Sequence, residues 1–325
     1  MALIVESAAQ LRIRDAFAAL PGLVSAPVHV KCEGLCMAGS IKIKPALRMV
    51  EALEAADRIG PDSVLIESSS GNLGVALSIV AAAKGYRFLC VTDPVSSPTN
   101  RKLMLAYGAS IIVVDKRDRN GGFLATRIEL INEMCARDPR YVWVNQYENE
   151  DNWRSHYFAT APEIHASFSK IDWLFVGAGT TGTLMGCVRY FREHSPQTRI
   201  VAVDSVGSVT FGGAPGSRKI PGLGTSRVPP IFNPDEIQRV VMVPEESAIR
   251  MCRSLARRGF LFGGSTGTVL AGVCSCAAEI HPDDIVVAPS PDFGERYLDS
   301  IYDDEWIGTH FPNVIAATQR QQAAE

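Results

Sequence analysis

Short apolar runs alternate along this chain with longer helical stretches. Residues 63–67 (SVLIE) form one such run, which ends in Ser68, Ser69, Ser70, Gly71 and Asn72. A stretch of small residues at 73–84 reads as a helix, 87–92 (RFLCVT) as a strand, and 99–107 as a helix stopped by Gly108. Residues 110–114 (SIIVV) and 123–137 repeat the strand-then-helix order. In the second half, 173–176 predicts a strand that runs into Gly177, Ala178, Gly179, Thr180, Thr181, Gly182 and Thr183, followed by a helix over 184–194. Further strands are expected at 200–203 and 284–288. Apolar strands alternating with helices predict an α/β chain whose parallel sheets are covered on both faces. Two such sheets give two domains with a cleft, and ligands in such folds lie beyond the carboxyl ends of the strands.

Composition narrows the function classes. The 325 residues are 46% hydrophobic and 21% charged, ordinary for a globular protein and enough for two domains. A net charge of −3, with scattered Lys and Arg, gives no footprint for nucleic acid or a membrane surface. The apolar stretch at 75–83 is too short to span a bilayer. The first residues lack a basic-then-apolar signal pattern, so a cytoplasmic protein is expected. Eight cysteines include the close pairs Cys32/Cys36 and Cys274/Cys276, yet neither pair has a second pair or a histidine at zinc-like spacing. They are expected to be reduced, mostly buried thiols, and no metal is expected.

Three segments carry candidate chemistry. The glycine and threonine run at 177–183, between a strand and a helix, can turn backbone N–H groups and hydroxyls toward an anion, although a plain tight turn has the same composition. It lacks the Gly-Lys-Ser/Thr of a Walker loop. Ser69, Ser70, Gly71 and Asn72 suit a carboxylate, and equally suit a helix cap. Lys42 and Lys44 alternate with Ile41 and Ile43, which would put both lysines on one face opposite the isoleucines; the pattern does not choose between them.

Taken together, a Ser-x-Lys near the start, a Ser-Gly-Asn turn, a Gly/Thr loop past the middle and a late Gly-Gly-Ser-Thr-Gly resemble the fold-type II pyridoxal-phosphate enzymes, the group of cysteine synthase and cystathionine β-synthase. The likeness runs from about Lys31 to Leu298. IESSSGNLGVALS, TDPVSSPTN, NGGFLATRI, NQYENEDNWRSHY, GTTGTLMG, AVDSVGSVTFG, PGLGTSRVP, FGGSTGT and PDFGERYLD are similar to a narrower branch. These are the 2,3-diaminopropionate biosynthesis enzymes, which serve the staphyloferrin B siderophore and peptide antibiotics. The resemblance implies a tryptophan synthase β-like fold with pyridoxal 5'-phosphate in the interdomain cleft. It also implies a β-replacement joining O-phospho-L-serine to L-glutamate, and a homodimer. Residues 40–150 are expected to form a smaller, mobile, substrate-binding domain. Residues 1–39 with 151–315 are expected to form a larger domain that binds the cofactor phosphate, and 316–325 a frayed tail.

By position, the resemblance makes Lys42 the Schiff-base lysine and Asn72 the partner of the ring hydroxyl. It gives the cofactor phosphate to Gly179, Thr180, Thr181, Gly182 and Thr183. Ser265 falls at the pyridine nitrogen, where a serine leaves the ring less protonated than a carboxylate would, favouring β-elimination. Ser69, Ser70 and Gln146 fall where related enzymes grip the substrate carboxylate. Arg227, where acetylserine-using relatives tend to be apolar, would pair with a phosphate leaving group. Arg127, Tyr147, Trp153 and His156 lie in segments shared with the diaminopropionate branch. Arginine or tyrosine there would suit the carboxylates of glutamate, while Trp153 suits core packing and His156 a structural role. The chain departs from cysteine synthases in Ile43-Lys44 after the lysine, in Leu73 after Asn72, and in lacking an early Gly-x-Thr-Pro-Leu strand. A sulfide-using cysteine synthase, a serine/threonine dehydratase and a catalytically silent scaffold are the alternatives; Lys42, Asn72 and Ser265 speak against the last.

Overall fold

The structure is a computed structural model that describes residues 4–118 and 121–315; the tail expected at 316–325 lies outside them. In chain order it has β1 (Phe17–Leu20), β2 (Val28–Cys32), α1 (Ile43–Ala55), β3 (Val64–Ser68), α2 (Asn72–Lys84), β4 (Arg87–Thr92), α3 (Pro98–Ala106), β5 (Ser110–Val113) and α4 (Leu124–Arg137). These are followed by β6 (Tyr141–Trp143), α5 (Asp151–Ser155), a π turn (His156–Thr160), α6 (Ala161–His165), β7 (Trp173–Gly177) and α7 (Gly182–His194). Last come β8 (Arg199–Ser205), β9 (Val240–Val243), α8 (Glu245–Ala256), α9 (Gly264–Ser275), β10 (Val286–Ser290) and α10 (Asp304–His310). Two compact units divide the chain: Met1–Ile13 with Leu35–Ser155, and Arg14–Gly34 with His156–Glu325. The first forty residues are thus shared between the units.

The first unit holds a parallel four-stranded sheet in the order β5-β4-β3-β6. Successive side chains of a strand point to opposite faces, and β3 shows the result. Leu65 packs with Met49, Leu77 and Val80 on the α1/α2 side, while Ile66 packs with Val91 and Ile131 on the α4 side. With both faces covered, the strand reads as one apolar run rather than an alternation. Helix α2 is buried over nine consecutive positions, from Leu73 to Ala81. Its small residues permit this: a Cβ at Gly74 would lie 2.5 Å from the Met104 sulfur of α3.

The second unit holds a six-stranded sheet, β1-β2-β10-β7-β8-β9, parallel except for the antiparallel β1/β2 edge. Val269, Leu270 and Val273 of α9 pack on one face with Phe175, Val203 and Val286. Leu184, Cys187 and Phe191 of α7 cover the other with Leu174, Val176 and Ala202. Helix α8 lies over α9 so closely that a Cβ at Gly267 would come within 2.5 Å of the Ala248 carbonyl oxygen. The expected parallel α/β architecture holds in both units.

No disulfide joins the cysteines among the described residues; Cys90, Cys187, Cys252 and Cys276 are buried and the other four half-buried. Burial pushes the Cys90 and Cys252 thiols up to about 12. Among the described residues no helix is long and apolar enough to cross a membrane, and no group of three His, Cys, Asp or Glu is placed to hold a metal.

Candidate functional site

In the first unit the candidate residues sit where backbone turns into helix. Gly39 takes a φ of +61°, a conformation open to glycine at no steric cost, and its N–H donates to the Cys36 carbonyl at 2.9 Å. The Ile43 and Lys44 amides then donate to the Ser40 and Ile41 carbonyls, and the Ala46 amide donates to Lys42. Lys42 is therefore the cap residue of α1, already helical in backbone (φ −66°, ψ −13°). This corrects the expected two-residue alternation. Residues 41–44 wind into a helix, where side chains repeat every 3.6 residues, so Lys42 is half-buried while Lys44 is buried in the first turn.

Strand β3 delivers the serine turn. The Ser69 hydroxyl oxygen accepts from the amides of Gly71 (3.3 Å) and Gly74 (3.0 Å), which makes it part of the turn that opens α2. Its own contact as a donor, to the Gly71 carbonyl, is long at 3.5 Å, so its proton remains available to a ligand. Ser70 and Asn72 are half-buried, and the Ser96 hydroxyl donates to the Ser70 carbonyl at 3.0 Å. On the neighbouring strand, β6 runs into a turn in which Asn145 adopts φ +55° and Gln146 is buried. The Gln146 carbonyl accepts from Asn152 Nδ2 at 2.7 Å. Ser69, Ser70 and Gln146 thus lie at the carboxyl ends of adjacent strands.

Glu67, the last residue but one of β3, is singled out by no motif in the sequence. It is 1% exposed, and burial pushes its carboxyl up to about 7, with hydrogen bonds from Trp143, Ser68 and Gln146 opposing the shift. The available signal was an acidic residue closing an apolar strand. Arg127 is buried on α4 in an ion pair with Asp93, Nη1 to Oδ2 3.3 Å. Trp153 is half-buried with the Arg154 guanidinium 5.4 Å from its ring centre, and Tyr147 is half-buried in the Gln146 turn.

In the second unit three segments converge. Strand β7 ends at Gly177, and Thr181 caps the 13-residue helix α7 in a left-handed backbone (φ +65°) that a β-branched residue rarely adopts. Its hydroxyl oxygen is buried with no hydrogen-bond partner. Thr180 and Gly182 beside it are buried, and Gly179 and Thr183 half-buried. The Gly224 amide donates to the Ala178 carbonyl (2.9 Å), and a Cβ on Gly179 would meet the Gly222 carbonyl oxygen at 2.5 Å. Gly222, at φ +109°, in turn leaves room for the Ser265 hydroxyl, which a Cβ there would strike. Ser265 is buried in the first turn of α9. The Gly/Thr loop, the 222–224 turn and the start of α9 therefore form one wall. Arg227 follows that turn on the exposed surface.

His156 stands behind the wall. It is fully buried, Nδ1 3.0 Å from Thr160 Oγ1 and Nε2 3.2 Å from Thr183 Oγ1. Asp204, at the end of β8, is also buried, and burial pushes its carboxyl up to about 6 against hydrogen bonds from Ser208 and Ser205. Neither Asp204 nor Glu67 was legible as a site residue, because each looks like an ordinary acidic strand end.

Residues 16–292 match the family of pyridoxal-phosphate dependent enzymes. An N-(2-amino-2-carboxyethyl)-L-glutamate synthase from Ralstonia nicotianae is 45% identical over 87% of this chain and 84% of its own length. A protein of the same name from Cupriavidus metallidurans is 44% identical over 88% and 85%. Among solved structures, O-ureido-L-serine synthase superposes with a TM-score of 0.84 at 30% identity, covering 94% of this chain and all of that one. The O-acetylserine dependent cystathionine β-synthase of Helicobacter pylori also gives 0.84, at 26% identity, covering 93% and 100%.

Proposed function

The chain belongs to the pyridoxal-phosphate dependent enzymes, and from that premise we propose that it joins O-phospho-L-serine to the amino group of L-glutamate. The products are N-(2-amino-2-carboxyethyl)-L-glutamate and phosphate. The observation that carries this reading is the 45% identity, over 87% of the chain, to a synthase of that name. The solved relatives named above, one named for making O-ureido-L-serine and the other for its dependence on O-acetylserine, stand at 30% and 26%.

The residues fit the cofactor. A buried threonine hydroxyl without a partner, at the N-terminus of a long helix and in a loop with no Cβ at Gly179, is what a phosphate group needs. Gly179, Thr180, Thr181, Gly182 and Thr183 would hold that phosphate, Asn72 would hydrogen-bond the ring hydroxyl, and Ser265 would meet the ring nitrogen. When bound, pyridoxal phosphate supplies an aldehyde that condenses with amines and a ring that accepts electrons from Cα.

The chain's own residues do the rest. Lys42 carries the amine that would hold the cofactor, and its Nζ is the base that takes the Cα proton of the substrate and later returns one. Ser69, Ser70 and Gln146 grip the substrate α-carboxylate. Arg227 pairs with the departing phosphate, a bidentate match that an acetyl ester does not offer. We place the enzyme in the cytoplasm as a homodimer, on a route to 2,3-diaminopropionate for a siderophore or peptide product.

The test is phosphate release from O-phospho-L-serine. It is expected to require L-glutamate, and kcat/KM is expected to fall about 10- to 100-fold in Arg227→Ala, the loss of a charge-assisted pair. Sulfide supporting release as well as glutamate does would move the chain to the cysteine synthases. Unchanged release by the variant would remove Arg227 from the leaving-group site.

A further inference from the structure

We infer that Glu67 is a positioning residue that locks the Gln146 turn to the end of β3, so that the two segments gripping the substrate carboxylate are held in one arrangement. The inference rests on the amino-acid reading above and deepens it at one residue.

The geometry is a three-point clamp. Glu67 Oε1 accepts from the Ser68 amide at 2.7 Å and from Trp143 Nε1 at 3.1 Å; Oε2 accepts from the Gln146 amide at 3.1 Å. All three are donors, so the carboxylate is matched to its ionised form and gives nothing back. One oxygen is committed to β3 and β6, and the other to the turn that carries Gln146. The other side of that turn is fixed independently. Asn152 Nδ2 donates to the Gln146 carbonyl and Asn149 Nδ2 donates to the Val144 carbonyl, 3.1 Å. Asn145, at φ +55° between them, takes the left-handed backbone that asparagine accepts more readily than other side chains and so carries the chain round the turn.

A buried carboxylate is costly, and an apolar residue would pack β3 against β6 without that cost. What the carboxylate adds is a hydrogen bond to the amide of Gln146, which the proposed function assigns to the substrate carboxylate. Its other oxygen meanwhile fixes the Ser68 amide, one residue before Ser69. Ser69 is itself tied to β4 through its amide, which donates to the Val91 carbonyl at 3.1 Å. The clamp therefore sets the Gln146 turn against a serine turn already fixed to the sheet.

Two substitutions separate this role from general support. In Glu67→Gln the amide oxygen can replace Oε1, which leaves the NH2 group facing the Gln146 N–H, donor against donor. The link to Gln146 is cut and the links to Ser68 and Trp143 remain. In Trp143→Phe one donor to Oε1 is lost and the link to Gln146 stays.

The experiment titrates each holoenzyme with O-phospho-L-serine and with O-phosphoethanolamine, which has the same amine and phosphate without the carboxylate. Binding is read from the cofactor's visible absorption, and amide exchange at Gln146 is followed in parallel. Glu67→Gln is expected to weaken O-phospho-L-serine about tenfold, to leave O-phosphoethanolamine within about twofold, and to speed exchange at Gln146. Trp143→Phe is expected to leave both ligands within about twofold. Equal weakening of both ligands by Glu67→Gln, or unchanged exchange at Gln146, would overturn the positioning role. If the wild-type absorption responds to neither ligand, the amino-acid reading itself falls, while exchange at Gln146 still judges the clamp.

Discussion

Thr181 shows how far single residues carry the account. Its hydroxyl is buried without a partner and its backbone is left-handed, so the folded chain gains nothing from that oxygen until an anion reaches it. Thr181→Val is expected to weaken pyridoxal-phosphate binding about five- to tenfold in equilibrium dialysis, while the cofactor-free protein unfolds at the same urea concentration. Equal loss of stability in the cofactor-free protein would make the hydroxyl a structural group. At this scale the motifs were legible wherever chemistry demands unusual residue types in a row, as in the Gly/Thr loop. They were not legible where an ordinary residue acquires a role through its neighbours. Lys42 and Lys44 are indistinguishable by pattern, and only the winding of 41–44 into α1 separates their burial. His156 acquires its role from Thr160 and Thr183, one four residues away and the other twenty-seven.

Among the elements, two parallel strands end in buried carboxylates, Glu67 on β3 and Asp204 on β8. Both carboxyls are raised, to about 7 and about 6, chiefly by burial. A group whose folded pKa lies above its unfolded value contributes stability that is complete below the unfolded value and is lost as pH rises through the folded one. The protein should therefore be more stable in urea at about pH 5.5 than at about pH 8, by on the order of 1–3 kcal/mol. Glu67→Gln should flatten that slope. Stability that rises across this window would contradict the burial argument. The strands and helices from 63 to 137 were legible because each strand is an apolar run closed by glycine or a polar turn. Helix α9 was not: Gly264–Ser275 is small and apolar all round, so it has no polar stripe to set its period, and only α8 packed on its outer side explains that composition. Helix α8 and the short strands β1, β2, β6 and β9 were missed as well; each strand has three to five residues, too few for a period to show.

For the whole molecule, sequence pattern supplied the α/β class and the parallel sheets, and the resemblance supplied the chemistry. The division into units was less legible at the start of the chain. Residues 14–34 join the second unit through β1, which pairs with β2, and through β2, which pairs with β10 more than two hundred residues later. No local pattern reports a pairing at that distance. The central claim, a β-replacement with glutamate as the nitrogen donor, is tested most directly by one measurement. The purified chain with pyridoxal phosphate, O-phospho-L-serine and L-glutamate labelled with nitrogen-15 is analysed by mass spectrometry, and phosphate is assayed alongside. The account predicts a glutamate–serine adduct that retains the label, formed in step with phosphate. Pyruvate and ammonia in place of the adduct, or product formation only when sulfide replaces glutamate, would contradict it.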